Sequence, residues 1–131
     1  LKLSSVKNVV LFNILFGALA VVLGALGSHL PPENLGPSNI YRFEVAQRYH
    51  MFHVLVVLIE GALIGNGARD IFLKTSMAFI LLGILFFCGS LYANFFFRFG
   101  YLEFLTPIGG CFFVIGWIIF FLAFATREKI V

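Results

Sequence analysis

Four apolar stretches, residues 9–28, 46–65, 75–97 and 104–125, dominate this chain of 131 residues. Each is long enough to cross a bilayer, whose hydrocarbon core of ~30 Å takes ~20 helical residues. No water reaches backbone N–H and C=O groups at that depth, so a spanning segment of this length has to be helical. The pattern predicts an all-α fold, an integral membrane four-helix bundle forming one domain over residues 1–131. Composition agrees. Hydrophobic residues make up 61% of the chain, with 18 phenylalanines, and only 11% are charged. A soluble domain carries about 25% charged residues, and a small core could not bury so many apolar side chains. The first stretch follows Lys2 and Lys7 and has the outline of a secretory signal. Three further spans follow it, and its glycines look like packing positions, so it reads as a retained first span.

The connections are short except for residues 29–45, where Pro31, Pro32, Gly36 and Pro37 break any continuous helix. The run from Ile40 to Tyr49 mixes charges with aromatics and is expected to lead into the second span at headgroup level. Four spans put the N-terminus, the 66–74 loop and the C-terminus on one side. That side carries six basic residues, Lys2, Lys7, Arg69, Lys74, Arg127 and Lys129. The other side carries three, Arg42, Arg48 and Arg98, with Glu33, Glu44 and Glu103 as counter-charges. The excess of Lys and Arg places both termini in the cytoplasm. The expected location is the plasma (inner) membrane, or the mitochondrial inner membrane in a eukaryote.

Small residues recur at helical spacing: Ala20, Gly24 and Ser28 in the first span, and Gly109, Gly116 and Ala123 in the fourth. Such rows let helix backbones approach closely in lipid, which predicts a compact bundle and one able to self-associate. Cys88 and Cys111 lie inside apolar runs and form no CxxC or zinc spacing. The net charge of +3 is spread between the spans, which argues against a nucleic-acid partner. No Walker motif, HExxH or dinucleotide fingerprint is present.

Four elements in order carry a family resemblance: Gly24-Ala-Leu-Gly-Ser-His29, Phe43 to Leu55 with its Tyr-His-Met-Phe-His core, Gly83 to Tyr92, and Thr106-Pro-Ile-Gly-Gly110 followed by Gly116-Trp117. Together they resemble the domain-of-unknown-function-423 family and the eukaryotic transmembrane-protein-256-like proteins over essentially the whole chain. The resemblance implies a small four-span membrane protein and brings no established activity. It marks His29, His53, Gly89, Ser90, Tyr92, Thr106, Pro107, Gly109, Gly110, Gly116 and Trp117 as family-like. His50 is similar to the eukaryotic variant, where many bacterial members carry Gln. Cys88 stands where Ser is common, and Glu60 where the family is small or apolar.

Three histidines lie near one membrane face. His29 follows the first span, while His50 and His53, three residues apart, share a face of the second. Together they are candidate ligands for a transition metal or haem; the alternative is that they hydrogen-bond the 29–45 loop and tie it down. Glu60 is an intramembrane carboxyl, which suggests an ion path or a partner, or a hydrogen bond to Ser76, Ser90 or Asn94. Ser90 and Asn94 give the third span a polar stripe, and Gly24, Gly89, Gly109, Gly110 and Gly116 are the expected packing positions. A serine nucleophile would need a base within ~3 Å, and no histidine is expected at that depth.

These readings favour a non-catalytic accessory or assembly subunit, in contact with lipid and with itself or a larger membrane complex, needing no cofactor. Two alternatives remain open: a metal, haem or lipid-like ligand bound at the histidines on the extracytoplasmic side, and a small oligomeric transporter using Glu60.

Overall fold

The computed structural model describes residues 3–33, 35–65, 67 and 69–126. Lys2, Arg127 and Lys129, three of the six basic residues counted on the terminal side, lie outside them. Four long helices account for the fold: α1 (Leu3–His29), α2 (Pro37–Leu63), α3 (Asp70–Phe97) and α4 (Leu105–Ala125). Within α3, a π-helical turn at Ile84–Cys88 separates the α-helical parts Asp70–Gly83 and Gly89–Phe97. No strand occurs among the described residues.

Local chemistry explains the ends. Pro31 and Pro32 stop α1 from continuing, but Pro37 begins a helix instead of breaking one. It sits in the first turn of α2 behind an extended Gly36, where its missing N–H removes a donor that would have no partner anyway. The second helix therefore starts at Pro37, and the expected lead-in, Ile40 to Tyr49, is a continuous part of it. At the other end, the Asp70 carboxylate accepts from the backbone N–H groups of Gly65 (3.2 Å) and Gly67 (3.4 Å). That bond set starts α3 at Asp70, ahead of the expected 75. The α3 end is capped by Arg98, the one non-glycine residue with positive φ (55°) among those described. Its N–H returns to the Asn94 carbonyl at 3.0 Å, and its guanidinium donates to the Glu33 carbonyl.

Three helices, Ser5–His29, Asp70–Phe97 and Gly100–Ala125 (which takes in a short 3-10 turn before α4), are long and apolar enough to cross a membrane. The helix α2 has the same 27-residue length as α1 but carries Arg48, His50, His53 and Glu60. His50, His53 and Glu60 are all buried against protein.

The helices pack in sequence, α1 on α2, α2 on α3 and α3 on α4, each pair antiparallel. Most of the glycines serve these contacts. A Cβ on Gly24 would meet the Gln47 side chain at 2.7 Å, and one on Gly27 the Phe43 ring at 2.3 Å. One on Gly116 would meet Ile80 at 2.6 Å, and one on Gly109 the Phe87 backbone nitrogen at 2.2 Å. Gly24, Gly109 and Gly116 thus face neighbours in the same chain, so these rows are not free to pair two copies. Gly89 and Gly110 depart from expectation. A Cβ on Gly89 meets nothing within 4 Å, and one on Gly110 only the rim of Phe87 at 3.9 Å, so neither is a close-packing position. The faces turned away from these contacts are apolar: Leu15 is 66% exposed and Phe121 70%.

Candidate functional site

The polar residues of the bundle interior are concentrated on α2 and tie it to the other three helices. The Gln47 amide, about two and a half turns into α2, donates to the Ala20 carbonyl of α1 (3.1 Å) and to the Tyr92 hydroxyl of α3 (2.8 Å). Tyr92 in turn lies 3.0 Å from His50 Nδ1. The Tyr92 hydroxyl donates to that nitrogen or accepts from it, according to which ring nitrogen carries the proton. The other ring nitrogen, Nε2, is buried with no partner in close hydrogen-bond geometry, and the ring lies beside the Phe16 backbone.

The His53 ring is fixed by a donor that cannot accept. The Trp117 indole N–H of α4 reaches His53 Nε2 at 3.1 Å, so Nε2 carries the lone pair and Nδ1 the proton. That proton goes to the Tyr49 carbonyl at 2.7 Å. The ring also stacks on Phe113, with centroids 3.8 Å apart and planes 17° from parallel.

The three histidines do not converge. The Gly24–Gln47 and Gly27–Phe43 contacts set the α1/α2 register, which leaves His29 roughly two turns, about 10 Å, beyond His50. His29 is exposed at the end of α1, while His50 Nδ1 and His53 Nε2 are engaged by Tyr92 and Trp117. No group of three ligating side chains assembles among the described residues. Neither do His50 and His53 tie down the 29–45 loop; their partners are Tyr92, Trp117 and the α2 backbone. That loop is held instead by Arg98 and by Arg42, which pairs with Glu103 at 2.8 Å.

The other polar candidates also separate. The Ser90 hydroxyl contacts the Phe87 carbonyl (3.0 Å) and the Thr106 hydroxyl (2.6 Å), joining α3 to the start of α4. Asn94 donates to Glu103 at 3.2 Å, at the same end as Arg42. Ser76 lies beside Glu60 but donates its proton to the Gly116 carbonyl at 2.8 Å. Glu60 itself is fully buried, and neither carboxyl oxygen has a hydrogen-bond partner. Of the three expected partners only Ser76 lies beside it, with hydroxyl lone pairs left to accept from a protonated carboxyl.

Two residues of this interior carry no mark in the sequence reading. Gln47 sits one turn before His50, and that spacing alone could have found it. Asn13, fully buried, donates to the Val54 carbonyl at 2.9 Å and leaves its Oδ1 unpartnered; a lone Asn in an apolar run was the available signal. The Gln47–Tyr92–His50 chain makes a direct prediction. Tyr92→Phe removes the atom shared by two buried groups and should cost about 1–2 kcal/mol, read as a lower unfolding temperature in mild detergent.

The family described as protein of unknown function (DUF423) matches residues 23–110. The UPF0382 membrane protein SAB0533 of Staphylococcus aureus is 34% identical over 117 residues, covering 89% of this chain and 94% of its own. A UPF0382 membrane protein of Haemophilus influenzae is 39% identical over 105 residues, with 79% and 82% covered. The UPF0382 inner membrane protein YgdD of Escherichia coli K12 is 30% identical over 112 residues, with 85% and 84% covered. No solved structure matches this chain.

Proposed function

The chain belongs to the family of membrane proteins of unknown function DUF423, and from that premise we propose that it is a non-catalytic accessory or assembly subunit of the plasma (inner) membrane. In this reading all four helices span the bilayer, both termini are cytoplasmic, and the functional surface is the outside of the bundle. The inner-membrane name of the Escherichia coli relative supports the location. The observation that carries the reading is how the interior polar groups are used. Gln47 links α2 to α1 and α3, and Trp117 links α4 to His53, so most of them cross-link helices instead of lining a site. Recognition then falls to the apolar outer faces of α1 and α4.

The native mass in mild detergent tests this. A particle larger than the 14.6 kDa chain by whole subunits or by a defined partner is expected; a strictly monomeric protein would sink the accessory role. Reporters at the C-terminus and in the 29–45 loop should lie on opposite sides, the C-terminal one inside, and the reverse result would overturn the orientation.

A second reading, a small oligomeric transporter, has one observation in its favour. Glu60 is a buried carboxyl with no charged partner and only the Ser76 hydroxyl beside it, and intramembrane carboxyls commonly mark ion paths. Its substitution separates the two readings, as argued below.

A further inference from the structure

A groove of about 960 Å³ runs between α2 and α4, at the upper end of the ~300–1,000 Å³ usual for ligand pockets. It exists because α4 packs on α3 and meets α2 only through side chains, chiefly Tyr49 and His53 against Phe113 and Trp117. Pro107 and Gly110 line it without filling it. The walls are apolar and open outward, with Phe52, Val114 and Trp117 all exposed.

One charged residue lines this groove, Arg48, and its position is unusual. Its neighbour Gln47 packs on Gly24, and α1 continues from there to His29, a further ~7 Å. Arg48 therefore lies below the end of the bundle, with its side chain 69% exposed and turned outward. Its one ion-pair partner among the described residues is Glu44, at a loose 3.5 Å. A guanidinium facing lipid is costly unless it snorkels to an anion, and a phosphate suits its paired N–H donors. One turn deeper on the same helix, Phe52 stacks on Trp117 with centroids 6.0 Å apart, continuing the groove as an acyl-chain path.

We infer that the α2/α4 groove is a binding site for one acidic phospholipid, its phosphate on Arg48 and an acyl chain along Phe52 and Trp117. An acidic head is preferred because a zwitterionic one brings an ammonium group that the guanidinium repels.

Trp117 is the sole tryptophan of the chain and lines this groove, so its fluorescence reports the occupant. The protein is reconstituted in vesicles of phosphatidylcholine and phosphatidylglycerol, with bromine on the acyl chains of one lipid at a time. Brominated phosphatidylglycerol should quench Trp117 with about fivefold higher apparent affinity, the effect of one basic residue near an anionic head. In Arg48→Gln, an exposed substitution that leaves the packing intact, the two lipids should quench alike. Equal quenching in the wild type would reduce the groove to ordinary bilayer contact and overturn the proposal. Protection from both lipids would show that a second copy or another protein covers the groove, and would overturn it too. A preference that survives Arg48→Gln would remove Arg48 as the headgroup site.

Discussion

Replacing Glu60 with leucine is expected to stabilise the protein by about 1–3 kcal/mol, the penalty of a buried polar group left without a partner. Both carboxyl oxygens are buried and without a partner in close hydrogen-bond geometry, on a helix turn shared with Val57, which has no exposed surface. Leucine is close in volume and brings no polar atom, so the change should not overpack the site. Glu60→Gln keeps an unsatisfied polar group there and should stay near the wild type. Unfolding in one mild detergent measures all three proteins. A loss of stability in Glu60→Leu would mean that the carboxyl makes a favourable contact, to Ser76 or to a bound ion, that the purified protein keeps in detergent. A loss that depends on the cation in the buffer would favour the transporter reading over the accessory one.

Gly109→Ala should be among the most damaging single-methyl additions in the molecule. The added carbon would fall 2.2 Å from the Phe87 backbone nitrogen and 2.7 Å from its Cα. Backbone cannot rotate away as a side chain can, so α3 and α4 must separate along their length. A loss of about 3 kcal/mol is expected, the upper end for overpacking. Gly110→Ala, one residue on, should stay within about 0.5 kcal/mol of the wild type, because its Cβ meets only the Phe87 ring at 3.9 Å. Gly116→Leu should also destabilise, against Ile80. Thermal unfolding of the three variants in one detergent gives the comparison. Equal losses at Gly109 and Gly110 would show that the α3/α4 contact is looser than described.

The adjacent pair Gly109-Gly110 shows where sequence reasoning stopped. Both were expected to pack, although only Gly109 belongs to the small-residue row with Gly116 and Ala123; that row does not report how near the Phe87 backbone lies. The π-turn at Ile84–Cys88 is equally silent in sequence, yet it contains Phe87, whose backbone Gly109 meets. The histidines show the same limit: spacing put His50 and His53 on one face of α2, correctly, but not their partners. Tyr92 and Trp117 are 42 and 64 residues away from them, and no local pattern reports a contact of that range.

The sequence by itself determined that the chain is helical, how many long helices it has, that it lives in a membrane, and that the first helix ends before Pro31 and Pro32. Those properties depend on run length, total apolarity and the placement of proline, each readable along the chain. Only the tertiary structure decided which side of each helix faces protein, which glycines are in contact, and which polar groups are satisfied. The reason lies in the solvent. In water, an apolar stripe on a polar helix identifies the buried face. In a bilayer, the outside of the bundle is as apolar as its core, so Leu15 facing lipid and Val57 facing protein look alike until the helices are packed.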